Sequence, residues 1–222
     1  MNRVHGYLLG GLLALFGLGL CLPQAGAREL PEPQRVIQET AGRLQEILRE
    51  EQQRLIDDPG YVYRLAEEVF LPHVDMSRVS SLVLGRHWRK ATPAQKQAFA
   101  EEFKRLLVRT YATALRELGD WEVEFPPLRM KPGARSVLVQ SRLIRAGAQP
   151  VAVDYRMYRK DGSWLAYDVK IEGVSLITNY RSSFSRLIRQ QGIGGLIEEL
   201  AARNEEKAPA AGEKVAANSG VR

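Results

Sequence analysis

Residues 151–181, VAVDYRMYRKDGSWLAYDVKIEGVSLITNYR, constrain the fold more than any other part of the chain. Val151, Val153, Tyr155 and Met157 alternate with Asp154 and Arg156, so a strand here has one apolar face and one wet face. Asp161-Gly162 supplies a tight hairpin turn, because glycine tolerates the positive φ such a turn needs. The returning strand sets Leu165, Tyr167, Val169 and Ile171 against Asp168 and Lys170. Two strands of this kind make an antiparallel sheet covered on one side. After Gly173 the period lengthens to about 3.6, and Ile177, Phe184, Leu187 and Ile188 form one helical stripe. A sheet that leads into a helix lying over its own apolar face makes a trough with a lid.

The remainder of the 222 residues suits a single domain, residues 28–203, around that trough. Residues 1–27 read as a secretory leader. Arg3 precedes an apolar run at 7–22, and Ala25-Gly26-Ala27 has the small-x-small pattern of a cleavage site before Arg28. Sixteen apolar residues fall short of the ~20 that span a bilayer, which disfavours an anchor. Leu20 before Cys21 disfavours a lipobox. Cleavage removes Cys21, the chain's one cysteine, and with it any disulfide, zinc–thiolate site or cysteine nucleophile. The formal charge of +6 points to anionic partners such as lipid headgroups, membrane surfaces or acidic proteins. Nucleic acid fits poorly, since the cations are interspersed with Asp and Glu and no nucleic-acid motif is present.

Helices are expected over residues 34–118. The first carries the stripe Val36, Ile37, Leu44, Ile47, Leu48 and Leu55 up to the stop at Asp58-Pro59-Gly60. A short one holds Tyr61, Leu65, Val69 and Phe70, and Asp75 caps another over 76–84. Thr92-Pro93-Ala94-Gln95 combines a capping residue, a proline at the first helical position and a capping-box glutamine. From it runs a long helix with Phe99, Phe103, Leu106 and Leu107 on one side and Gly119 as its stop. Four strands follow within 121–171, at 121–125, 136–146, 149–159 and 163–171. C-terminal helices at 175–203, interrupted at Gly192, and a disordered tail at 204–222 complete the chain. The fold class is α+β, a four-stranded antiparallel sheet of NTF2-like form with several helices packed over one face.

Catalytic motifs are scarce. His73 and His87 have no metal-ligand spacing, and there is no GxSxG elbow, Walker loop or GxGxxG. No metal or cofactor is expected. Asp154 and Asp168 fall on the polar face, opposite Tyr155 and Tyr167, and Asp154 with Lys170 or Arg156 reads as a cross-strand ion pair. The alternative keeps the cone-shaped sheet as a small-molecule enzyme with these aspartates as proton-transfer groups. The apolar residues are abundant, but periodicity alone does not distinguish a filled core from a cavity lined by the same side chains.

Several segments in order carry a resemblance: Leu84-Gly85-Arg86-His87-Trp88-Arg89-Lys90-Ala91-Thr92-Pro93, then Phe99 through Tyr111-Ala112, Val153-Asp154-Tyr155-Arg156-Met157, Gly162-Ser163-Trp164, Tyr167-Asp168-Val169, Glu172-Gly173-Val174-Ser175-Leu176 and Asn179-Tyr180-Arg181-Ser182. The set, spanning about residues 34–200, resembles the periplasmic phospholipid-binding (MlaC, toluene-tolerance) family of the Mla system, which maintains outer-membrane lipid asymmetry. His87 stands where an aromatic residue is expected in that family.

The resemblance implies a periplasmic carrier, not an enzyme, with phospholipid as cargo and no cofactor. Its expected partners are an outer-membrane lipoprotein–porin complex and an inner-membrane ABC transporter bearing a lipid-binding ring, and a monomer is expected. Under this reading the tails lie between the sheet and the helices at 92–118 and 175–191. The expected liners are Val83, Phe99, Phe103, Leu106, Leu107, Tyr111, Val153, Tyr155, Tyr167, Val169, Ile177 and Phe184. Arg86, Arg89, Lys90 and Arg181 are the candidates for headgroup or partner contact. The tails of a diacyl lipid expose on the order of thirty methylenes, roughly 24 kcal/mol at ~0.8 each. A carrier therefore works by near-balanced exchange with a bilayer, one apolar medium for another.

Overall fold

The structure is a computed structural model that describes residues 30–58, 60–117 and 120–205. The leader and its cleavage site, Pro59, the Gly119 stop and the tail beyond residue 205 lie outside the described residues.

Helix α1 (Glu32–Glu50) begins with Pro33 in its first turn and is followed, after a break at Glu51, by α2 (Gln52–Asp57). The short α3 (Tyr61–Leu65) passes directly into a π-helical turn, Ala66–Phe70, and a 3-10 turn, Leu71–His73. In α4 (Met76–Leu84), the Asp75 carboxylate accepts from the Arg78 amide at 2.9 Å, as expected of an N-cap. A 3-10 connector, Gly85–Lys90, leads to α5 (Pro93–Glu117). The capping box closes in both directions: the Gln95 amide donates to Thr92 Oγ1 at 3.2 Å, and the Thr92 amide donates to Gln95 Oε1 at 3.0 Å.

The sheet has five strands, not four, in sequential antiparallel order: β1 (Glu122–Glu124), β2 (Ser136–Ile144), β3 (Val151–Lys160), β4 (Ser163–Ile171) and β5 (Val174–Ser175). Asp161 (φ 49°) and Gly162 (φ 87°) form the first hairpin turn, both with positive φ. Glu172 (φ 49°) and Gly173 (φ 79°) repeat the geometry, and this second turn creates the two-residue β5. The C-terminal helical run, labelled α6 (Leu176–Glu205), is two helical segments interrupted at Gly192 (φ 75°), as expected, and it includes Asn204 and Glu205 from the expected tail.

One feature of the sheet departs from simple alternation. The register of β3 and β4 shifts between Arg156 and Met157: Arg156 faces Asp168, but Met157 faces Ala166, leaving Tyr167 as the extra residue of a β-bulge. Beyond a one-residue bulge every side chain changes face. Trp164 and Ala166 therefore join Met157 on the apolar side, and Leu165 moves to the other. Tyr167 packs edge-on to Tyr158, ring centroids 5.7 Å apart, with the Arg78 guanidinium 4.4 Å from its ring.

The helix over the apolar face is also not the expected one. α1 occupies that position, with Ile37 among Val139, Met157, Trp164 and Ala166. Trp164 Nε1 donates to the Glu32 carboxylate at 3.2 Å, and Gln34 Nε2 donates to the Pro126 carbonyl at 2.8 Å, which pin the start of α1. The start of α6 meets the opposite, polar face. There Asp168, 6% exposed, accepts from the Ser175 hydroxyl at 2.8 Å and the Ile177 amide at 3.3 Å. Asp168 is thus a cap for α6 rather than a cross-strand ion partner.

Candidate functional site

Apolar side chains that remain accessible while facing inward locate the site. A domain of this size ordinarily has one contiguous core. Here the buried apolar residues form three separate clusters. One joins α4, α5 and α6 through Val83, Phe99, Phe103, Ile177 and Phe184. A second is the α1–sheet contact, and a third packs Leu44 and Leu48 of α1 on Tyr61 and Leu65 of α3.

The elements close a ring: the sheet packs on α1, α1 on the π-turn after α3, α3 on α5, α5 on α6, and α6 on β4. α5 packs on α3, α4 and α6 but has no extensive packing on the sheet. Its apolar side packs instead on α4 and α6, through Phe99 and Phe103. At one end the sheet's apolar face is sealed, with Val139 and Met157 fully buried beneath Ile37. Toward the other end Leu143, Val151, Tyr155, Val169 and Ile171 are only half-buried. Val69 and Phe70 of the π-turn and Leu107 and Tyr111 of α5, on other walls of the ring, are half-buried as well.

Tyr155 lies on the floor of this trough. Burial pushes its phenol up to about 12, against the opposing pull of its hydrogen bond with Ser141. Its residue surface nonetheless stays partly accessible. A deep hydroxyl on a ring that keeps accessible surface is what a cavity wall presents. Ser141, 2% exposed, donates its own hydroxyl proton to the Val153 carbonyl at 2.8 Å, so the polar atoms on this floor are internally satisfied. Burial likewise raises the Tyr111 phenol, with a smaller contribution from neighbouring Tyr180.

The twelve expected liners separate into three groups. Val153, Tyr155 and Val169 lie on the apolar sheet face, and Leu106, Leu107 and Tyr111 lie on the half-buried side of α5. Val83, Phe99, Phe103, Ile177 and Phe184 are inside the helical cluster, where Phe103 stacks on Phe99 at 5.5 Å and meets Phe184 edge-on at 5.6 Å. Tyr167 is displaced to the polar side by the bulge. Val69 and Phe70 of the π-turn, half-buried, pack against the Leu44–Leu65 cluster of α1 and α3.

Of the four basic candidates, Arg181 caps α4: both its Nε (2.7 Å) and Nη2 donate to the Leu82 carbonyl. Arg86, Arg89 and Lys90 are exposed on the connector. A separate groove of about 470 Å³, lined by Arg156, Asp168, Lys170, Ser175 and Thr178, lies on the polar face of the sheet and is too polar for acyl chains. Among the described residues no group of His, Cys, Asp and Glu could hold a metal ion, and no helix is long and apolar enough to cross a membrane.

An antiparallel sheet with α1 on its apolar face, α6 on its polar face and half-buried apolar side chains left at one end of the former defines an α+β fold with apolar surface to spare for a ligand. Comparison with known proteins then gives the family. The family model described as MlaC protein matches residues 38–202, and the chain belongs to that family. It is 24% identical over 171 residues to the intermembrane phospholipid transport system binding protein MlaC of Haemophilus influenzae strain Rd, covering 76% of this chain and 80% of that one. It is 27% identical over 161 residues to the toluene tolerance protein ttg2D of Pseudomonas putida, covering 72% and 74%. Among solved structures, a phospholipid-binding protein from Ralstonia solanacearum, in complex with a phospholipid, superposes with a TM-score of 0.73. That match has 30% identity and covers 78% of this chain and 97% of that one.

Proposed function

We propose that the protein is a periplasmic phospholipid carrier, exported with residues 1–27 removed, that moves lipid between two membranes. In this reading it exchanges cargo with an outer-membrane lipoprotein–porin complex and with an inner-membrane ABC transporter carrying a lipid-binding ring. The observation that carries the proposal is the divided core: the sheet's apolar face stays half-buried at Tyr155, Val169 and Ile171, and among the described residues α5 makes no extensive contact with the sheet. The acyl tails lie against that floor, with Leu107, Tyr111, Val69 and Phe70 as the facing walls. Membership of the MlaC family and the phospholipid-binding names of the relatives support the same cargo.

The physics of such a site sets its mode of work. Tails worth roughly 24 kcal/mol in water exceed what non-covalent binding sustains, so release into water is not a step. Transfer from trough to bilayer exchanges one apolar environment for another and is close to balanced. The protein needs no catalytic group for this, and one of the two aspartates that an enzymatic reading would use, Asp168, is held by Ser175 and the first turn of α6.

Native mass spectrometry of the purified protein tests the proposal. The expected spectrum contains protein with phospholipid bound, and the protein stripped of lipid extracts phospholipid from vesicles. Lipid-free protein that extracts nothing from vesicles refutes it.

A further inference from the structure

Beyond the leader, three long stretches of the chain contain cations and no acidic residue: residues 125–153, which lead into and along β2, and two that meet in the fold. Residues 76–100 hold Arg78, Arg86, Arg89, Lys90 and Lys96, and residues 173–197 hold Arg181, Arg186 and Arg189. These are eight of the 32 basic residues and none of the 26 acidic ones; the rest of the chain has 24 basic against 26 acidic residues, a charge of −2 beside +6 for the whole.

The fold packs the two stretches together. α4 lies on α6, and Arg181 reaches from α6 to the Leu82 carbonyl just before the connector. Arg86, Arg89, Lys90, Arg181, Arg186 and Arg189 are all exposed. Among the described residues none of these six has a carboxylate within ion-pairing distance. The connector and α6 converge at His87, whose imidazole is held below its usual range by burial and then by the charges of Arg86, Lys90 and Arg189. Hydroxyls of Ser182 and Ser183 stand exposed among the cations of α6.

Cations gathered without counter-ions repel one another, and an anionic partner relieves that cost. The six come from a connector and a helix flank, accompanied by short hydroxyl side chains. That arrangement suits a surface of many equivalent phosphates better than one shaped acidic ligand. We propose that this face, built from the Gly85–Lys90 connector and the exposed side of α6, seats the protein on an anionic phospholipid bilayer. The docking face presupposes the carrier function for its purpose; bound phospholipid, measured by mass spectrometry on the same samples, separates failure of the one from failure of the other.

The test is co-sedimentation of the leader-free protein with vesicles of phosphatidylcholine alone or mixed with phosphatidylglycerol at about 2:1, at low and high salt. Binding is expected only to the anionic vesicles and is expected to fall at high salt. Each cation near an anionic surface is worth about a fivefold change in partitioning, so losing three in Arg86→Glu with Arg89→Glu and Lys90→Glu lowers binding by at least about a hundredfold, before the added repulsion of the new carboxylates. Arg186→Glu with Arg189→Glu repeats the effect from α6 and carries the test should the connector variant fail to fold. The control makes the same charge change elsewhere: Arg129→Glu, Lys131→Glu and Arg135→Glu, three exposed positions before β2, leave binding within a few-fold. Equal loss in the control and the connector variant overturns the proposal, because net charge alone would then be responsible. Binding indifferent to phosphatidylglycerol, or no binding to either vesicle, as for a face that meets an acidic protein instead, overturns it too.

Discussion

Val169→Trp is the most direct probe of the trough. Val169 faces Tyr155 across β3 and β4 and is half-buried on the apolar face, beyond the part sealed by Ile37. A tryptophan side chain carries about seven more heavy atoms than valine, the equivalent of about seven acyl methylenes, so displacing them costs at most ~6 kcal/mol of tail burial. Tails can slide along an open trough, so the expected loss is about half that, ~3 kcal/mol, or on the order of a hundredfold in retention. The cost to folding is smaller than in a closed core, because the added ring enters space that no protein side chain fills. Native mass spectrometry should show Val169→Trp almost free of phospholipid, and circular dichroism should show a native spectrum and an unfolding midpoint close to wild type. A folded variant that co-purifies with wild-type amounts of lipid refutes the placement of the tails on this face.

Phe99→Ala should do the reverse: Phe99 is fully buried among Phe103 and Phe184, so urea unfolding should register a loss of about 3–5 kcal/mol while the folded fraction keeps its lipid. Asp75, 8% exposed, caps α4 and accepts from the Tyr158 hydroxyl and from Lys160 at 3.1 Å, joining the helical cluster to β3. Burial opposes its ionised form, but these donors and the Arg78 amide outweigh it and hold the carboxyl below its usual range. Its contribution is therefore complete above the ordinary aspartate pKa and is lost as pH falls through the lower folded-state value, and Asp75→Ala should cost about 1–3 kcal/mol at neutral pH and nearly nothing in strong acid. Tyr155, raised to about 12, stabilises the fold below the ordinary tyrosine pKa and ceases to do so as pH rises from there toward 12. Ultraviolet titration should find its phenol un-ionised at pH values where exposed tyrosines have already titrated, and Tyr155→Phe should shrink that lagging component, leaving the part that belongs to Tyr111.

The elements whose signals are local were legible in the sequence. The capping box at Thr92 and Gln95, the cap at Asp75 and the hairpin at Asp161-Gly162 depend on neighbours within four residues, and each forms as read. The errors arise where a local pattern has to choose a distant partner. The stripes of α1 and α6 each announce a buried face, but nothing in either specifies that α1 takes the sheet's apolar side and α6 the polar one. The bulge at Tyr167 is a single-residue event that leaves alternation nearly intact on paper while exchanging the faces of Leu165 and Ala166. Phe99, Phe103 and Phe184 were assigned to the tails because large apolar residues at helical spacing look the same in a solid cluster and on a cavity wall. Only the packing of all three clusters separates those cases.

That separation has an energetic reason. A protein whose interior must stay open to exchange cannot draw its stability from filling that interior, since total stability is only ~5–15 kcal/mol and an empty seam contributes little of it. Here the burial that folds the chain is placed around the trough: the aromatic cluster of α5 and α6, the Leu44–Tyr61 contact of α1 and α3, and the Met157–Ile37 seal at one end of the sheet. Asp75 ties the first of these to the sheet through Tyr158 and Lys160, without passing through the trough. Cargo then adds stability only in proportion to its occupancy, as any ligand of the native state does. None of these contacts depends on the tails, the property that a carrier which must load at one membrane and unload at another requires.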